Sequence, residues 1–181
     1  MDPDFRLKTE RLRLRPYRED DLDDLQAMFS DPEHMTWYPF TFGVEETRGW
    51  IYRRFEEYRE DGFGLWIVED RRTGEFLGTV GPGVRIVDEV PHVEIGWHTK
   101  PGRKGEGIAP EAGAAARDWS FENLDVDHLI SIVRPENTGS NRVAEKIGMH
   151  VDHETDYKGL WHRIYWLDRV SWEERGAGTA S

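Results

Sequence analysis

Pro101-Gly102-Arg103-Lys104-Gly105-Glu106-Gly107-Ile108-Ala109-Pro110-Glu111 is the stretch on which the fold turns. A strand-like run, His92-Val93-Glu94-Ile95-Gly96-Trp97-His98, leads into it, and an alanine-rich helical run over 112–123 leads out. Glycines in such a turn let backbone N–H groups approach an anion closely. The first-turn N–H groups of the helix have no intrahelical partner, and the helix dipole adds partial positive charge there. Phosphate binds well at such a place. Arg103 and Lys104 add full charge beside it. Taken alone, the stretch also fits a plain strand–helix connector. It is not a P-loop, since no Lys-Ser/Thr pair opens the helix, and not a dinucleotide fingerprint, since position 110 is proline.

Upstream, residues 6–17 alternate in part, with Leu12 and Leu14 on one face and Arg11, Arg13 and Arg15 on the other, as in a half-buried strand with a solvated basic face. Glu19-Asp20-Asp21 opens a helix with Leu22, Leu25 and Phe29 on one side; Asp31-Pro32 ends it. Residues 31–43 carry Trp37, Tyr38, Phe40 and Phe42 without periodicity. That loop fits core closure or the wall of a substrate pocket. A helix follows over 44–60, with Val44, Thr47, Ile51, Phe55 and Tyr58 as its inner stripe. Strands are expected at 65–68 and 76–80, with Gly81-Pro82-Gly83 interrupting the second as a bulge or turn.

Downstream of the opening stretch come a strand at 128–133, a helix over 138–147 capped by Gly148, and two last strands at 149–155 and 160–167. Residues from about 174 to 181 resemble a frayed tail, and the core spans roughly 6–170 of a single domain, 1–181.

The second informative run is Asn137-Thr138-Gly139-Ser140-Asn141-Arg142-Val143-Ala144-Glu145-Lys146-Ile147-Gly148-Met149. With the first it resembles the GNAT acyltransferase superfamily. Gly105 and Gly107 match the glycines of that family's pyrophosphate motif, Gln/Arg-x-x-Gly-x-Gly/Ala. The Gln/Arg position falls on Gly102, a departure, with Arg103 next door. The stretch from Glu94 to Ala112 and the run over 9–16 resemble the RimJ/RimL-type branch, and Asn137 to Met149 resembles the family run N-x-x-S-x-x-(V/A)-x-E-K-x-G-(F/M).

The resemblance covers roughly residues 9–168. It implies an α+β (α/β/α) GNAT fold: a mixed sheet of about seven strands flanked by about four helices, splayed into a V between the fourth and fifth strands, 92–98 and 128–133. Acetyl-CoA would be the cosubstrate. Its pyrophosphate would rest on the amides of Arg103, Lys104, Gly105, Glu106, Gly107, Ile108 and Ala109. Its pantetheine arm would bind backbone groups of Ile95, Gly96, Trp97 and His98, and Asn137 and Arg142 would contribute further contacts. Glu94 matches a glutamate proposed as general base, and Ser140 a serine assigned to protonate the departing thiolate. On residue grounds alone, Glu94 equally fits a salt-bridged strand position, Ser140 a first-turn hydroxyl and Asn137 a helix N-cap.

Composition bounds the rest. The chain has 181 residues, 37% hydrophobic and 33% charged, an ordinary globular composition. It has no cysteine, which excludes disulfides and thiolate chemistry. No signal peptide or membrane span is visible, so a cytoplasmic location is expected. A net charge of −12 argues against nucleic acid and for cationic partners. His150-Val151-Asp152-His153 lacks a ligand set on one strand face, so no metal is expected. The acceptor is then an amine, either a protein N-terminus or a small molecule, and dimers common in this branch make a homodimer the other expected partner. A different acyl donor such as succinyl-CoA, or a non-catalytic coenzyme A sensor, are the alternatives.

Overall fold

The computed structural model describes residue 2 and residues 4–178; those described form eight strands and five α-helices. Where the sequence suggested one strand over 6–17 there are two, β1 (Leu7–Lys8) and β2 (Leu12–Arg15), paired antiparallel. The Thr9 hydroxyl accepts from Leu12 N and turns the chain between them. After a 3₁₀ turn at Glu19–Asp21 come α1 (Leu22–Phe29) and α2 (Val44–Glu60). The sheet continues with β3 (Trp66–Asp70), β4 (Phe76–Val87) and β5 (Val90–Thr99). Then follow α3 (Ile108–Asn123), β6 (His128–Val133), α4 (Thr138–Lys146), β7 (His150–Tyr157), β8 (Leu160–Asp168) and α5 (Arg169–Gly178).

The strand order is β1-β2-β3-β4-β5-β6-β8-β7. Every neighbouring pair is antiparallel except β5 and β6. Those two share one registered pair, Glu94↔Ile130. Just beyond it the Ser131 hydroxyl, instead of a main-chain N–H, donates to Ile95 O at 2.7 Å. The strands part there, and this gap is the expected V.

Three local expectations are corrected. Gly81-Pro82-Gly83 does not interrupt β4, which pairs with β5 without a break from Gly78↔Thr99 to Val87↔Val90. Past Trp66↔Val80 the β3 partner has ended, so Pro82 removes a donor where the strand has one neighbour instead of two. The glycine that geometry requires is Gly78, at φ +142°, where a Cβ would lie 2.0 Å from His98 O. In α2, Val44 is 49% exposed while Arg54 is 1% exposed, so a guanidinium stands on the stripe assigned to apolar groups. And α5 occupies part of the expected tail. Asp168 accepts from Ser171 N at its start, and Trp172 stacks on Phe121 and donates to Asp118. Residues 179–181 lie outside the described part.

The core is continuous across the sheet: Leu12, Leu14, Leu25, Trp66, Ile67, Ile95, Ala112, Ala116 and Leu129 are all at or near zero exposure. The alanines expected to allow close packing do so, with α3 lying on β2, β4 and β5. The basic face of β2 is not simply solvated. Arg15 is buried and binds both oxygens of Asp21 at 2.6 and 2.9 Å, while its Nε donates to Glu69 at 2.6 Å. Arg13 takes the other Glu69 oxygen.

Candidate active site

The loop before α3 is built by its glycines. Arg103 N donates to Lys100 O, closing a turn with Pro101 second and Gly102 third at φ +80°, the signature of a type II turn. The turn thus explains the glycine at the family's Gln/Arg position. Gly105 and Gly107 are also left-handed, at +88° and +80°, and Gly107 is the N-cap of α3. Pro110 has no N–H, so the first turn presents Ile108 and Ala109 as free donors. Glu111 anchors this turn to the β1–β2 hairpin. It accepts from Thr9 Oγ1, Arg11 N and Arg11 Nε, and Arg11 Nη1 reaches Glu106 O.

Two cavities flank the parting of β5 and β6. One, of about 450 Å³, is bounded by Gly105, Gly107, Ile108 and Ala109 on one side and by the first turns of α4 on the other. Arg103, Lys104, Arg142 and Lys146 line it, and no carboxylate does among the described residues. In a chain of net charge −12 that is a local reversal suited to a polyanion. The other cavity, of about 590 Å³, contains Glu94, Ile95, Gly96 and the inner face of α2. Trp37, Tyr38, Trp97, His98, Asn137 and Ser140 line both, so they form the neck between them.

At the neck, Trp97 Nε1 donates to Ser140 Oγ at 3.3 Å, which leaves the serine proton free for another acceptor. Asn137 is the N-cap of α4, accepting from Ser140 N at 3.1 Å. Asn141, next along, donates to Arg134 O, Pro135 O and Asn137 O and accepts from Tyr165, so it fixes the approach to α4. Tyr38 leaves its ring partly exposed and turns its hydroxyl to His98 Nε2 at 3.2 Å. His98 Nδ1 lies 3.4 Å from His34 Nε2. Burial pushes His98 down to about 3 and His34 down to about 4, so both imidazoles are neutral at pH 7.

Glu94 faces the second cavity from β5. Arg85 Nε sits 3.0 Å from its Oε2. Burial raises the carboxyl above its ordinary range, and the Arg85 guanidinium offsets part of that rise. Glu94 is therefore both salt-bridged and at the cavity wall. A Cβ at Gly96 would meet its carboxylate at 3.8 Å, an ordinary contact, so close packing does not demand the glycine there.

The expected site residues divide accordingly. Arg103, Lys104, Gly105, Gly107, Ile108, Ala109 and Arg142 gather on the cationic cavity, while Ile95 and Gly96 lie with Glu94 on the other. Glu106 lines neither; its carboxylate lies 3.6 Å from Arg103. Of the aromatic loop, Trp37 and Tyr38 line the cavities. Phe40 and Phe42 do not: Phe40 is 60% exposed, and Phe42 packs on Phe29 and Trp50, drawn into the core by its own apolar surface. Lys146 was missed, although it follows Arg142 by one helical turn. Arg85 was missed inside the apolar run Val84-Arg85-Ile86-Val87, and Arg54 because it follows Arg53 in a stretch of charged helix residues.

The sequence from residue 11 to residue 150 matches the acetyltransferase (GNAT) domain model. The chain belongs to the GNAT acetyltransferase family. It is therefore an acyl-CoA-dependent acetyltransferase. Among its relatives, the uncharacterized protein YkkB of Bacillus subtilis (strain 168) is 37% identical over 153 residues, covering 83% of this chain and 88% of that one. The uncharacterized N-acetyltransferase p20 of Bacillus licheniformis is 32% identical, covering 94% and 98%. The crystal structure of an acetyltransferase from Agrobacterium tumefaciens str. C58 superimposes with a TM-score of 0.78 at 30% identity, covering 91% and 95%. Solved structures of this fold also include ribosomal-protein, aminoglycoside and spermidine acetyltransferases, all at 20% identity or less. That likeness is one of fold and assigns this GNAT chain to no branch. Two of those structures hold coenzyme A. No helix among the described residues is long and apolar enough to cross a membrane, and none of their His, Asp and Glu side chains group in threes as metal ligands.

Proposed function

We propose that the protein transfers an acetyl group from acetyl-CoA to a primary amine by direct attack in a ternary complex. The observation that carries this reading is the pair of cavities. One is purely cationic and closed by free helix-start amides; the other holds a half-buried carboxylate, Glu94; both open on the same serine.

In this reading the pyrophosphate lies on the amides of Gly105 to Ala109, with Arg103, Lys104 and Arg142 neutralising charge. The pantetheine arm occupies the gap between β5 and β6. A main-chain N–H near Gly96 and Trp97 stabilises the oxyanion. The amine nitrogen bonds to the thioester carbon, and the carbon–sulfur bond breaks. Glu94 takes the amine proton, directly or through water. Ser140 donates a hydrogen bond to the departing thiolate, which is then protonated through solvent, so the proton lost by the amine balances the one gained by the thiol. Glu94 suits the role because burial raises its proton affinity toward working pH.

The test is release of the coenzyme A thiol across a panel of amines. Glu94→Gln should lower kcat by about 10²-fold or more, the range for removing a general base. Ser140→Ala should cost less, about ten-fold, with coenzyme A affinity retained in both. Unchanged turnover in Glu94→Gln would remove the carboxylate from the chemistry. Coenzyme A binding without turnover of any amine would favour a sensor.

A further inference from the structure

The second cavity is basic, although the chain is strongly acidic. Arg53, Arg54, Arg85, Arg134 and Lys158 line it against two carboxylates, Glu57 and Glu94. Each is engaged through one oxygen; the other oxygen of Glu57, Oε2, has no hydrogen-bond partner among the described residues. Arg54 Nη2 lies 2.8 Å from Glu57 Oε1, the same oxygen that Arg85 Nη1 approaches at 3.4 Å, and Arg85 Nε holds Glu94. One carboxylate thus serves two guanidinium groups.

The consequence falls on Arg54. It is 1% exposed, and among the described residues neither its Nε nor its Nη1 has a hydrogen-bond partner. Its Cζ lies 4.5 Å above the Trp50 ring, which fixes the plane of the guanidinium but satisfies no N–H. A buried guanidinium with open donors is costly unless an anion completes it. The matching group is a carboxylate, whose two oxygens fit the guanidinium fork. Lys158, on the β7–β8 turn, adds a cation whose Nζ lies 5.1 Å over the Tyr157 ring and whose charge reaches Glu94. Aromatic rings of Trp37, Trp50, Trp97 and Tyr157 complete the wall, and a volume of about 590 Å³ suits a small molecule.

We propose that the acceptor is a free amino acid, its carboxylate bound by Arg54 with help from Lys158 and its amine turned toward Glu94. This rests on the second cavity being the acceptor side of the transferase. It reverses what net charge suggested, since a polyamine would meet five cations there.

The experiment compares the twenty amino acids with their C-terminal amides, which keep the amine and side chain but lose the anionic charge, and includes spermidine as a polycation. Turnover is read as thiol release, and binding by calorimetry on the coenzyme A complex. Free acids should be preferred over matched amides by about ten-fold or more in kcat/KM, mostly through KM, because the contact binds ground and transition states alike. Arg54→Met should lower kcat/KM for acids at least ten-fold more than for amides. Lys158→Ala, at an exposed turn where folding is not at stake, should move the same ratio in the same direction. Equal use of acids and amides, a preference for spermidine, or no binding of any free acid would each overturn the proposal. Carboxylate-dependent binding without turnover would instead sink the transferase reading and leave the ligand class standing.

Discussion

Glu94 and His98 lie on one strand, and burial pushes their titrations in opposite directions. For Glu94 the charged form is disfavoured, so its proton is lost above the usual carboxylate range. The base is active when ionised; the rate should therefore fall as pH drops through that raised value. Removing the nearby cation with Arg85→Gln should move this acid limb to higher pH, because the offsetting attraction is lost. A kcat/KM profile against pH checks both statements, and an unmoved limb in Arg85→Gln would dissociate it from Glu94. For His98 the folded value, about 3, lies below the unfolded 6.5. The unfolded chain then binds the proton first on acidification. Stability from this group is present above pH 6.5 and is lost as pH falls below it, by about 1.4 kcal/mol per pH unit until the folded value is approached. His34 and Arg54 act on it in the same direction. Denaturant unfolding from pH 7 to 5 should show a shallower loss in His98→Gln than in the parent.

At the scale of elements, the start of α3 depends on two things the helix itself does not contain: left-handed glycines and a carboxylate strap to the N-terminal hairpin. Gly107→Ala places a Cβ 3.2 Å from Arg11 Nη2 and forces alanine to φ +80°. Strain of about 1–2 kcal/mol is expected. Coenzyme A affinity should fall about ten-fold as the amides turn away, readable by calorimetry. Gly105→Ala meets no atom within 4 Å, so it isolates the conformational part. The hairpin has its own anchor in Arg15, which joins β2, the 3₁₀ turn and β3 through Asp21 and Glu69. Arg15→Met leaves Asp21 near-buried without a guanidinium, while Glu69 keeps Arg13, and should cost about 3 kcal/mol, measured by urea unfolding.

For the molecule as a whole, charge is segregated. The net −12 is carried elsewhere, while both cavities hold more cations than carboxylates. Coenzyme A binding should accordingly weaken with ionic strength. Lys146→Ala should lower affinity about five-fold in dilute buffer and by less in about 1 M salt, where the Debye length is about 3 Å. A salt-independent loss would point to packing of its aliphatic stem instead of charge.

The sequence by itself determined the order of elements from α1 to β8, the glycine loop with its cationic neighbours, the helix cap at Asn137 and the carboxylate on the central strand. These are local properties: turn chemistry, capping and periodicity act within a few residues, so the chain states them directly. Tertiary structure alone decided that β5 and β6 meet at a single pair, that Phe42 belongs to the core, and that Arg54 and Arg85 share Glu57 across an interval of 28 residues. Burial and partnership depend on which distant surfaces are brought together. The charge inside a cavity is set by that assembly and not by the sum over the chain.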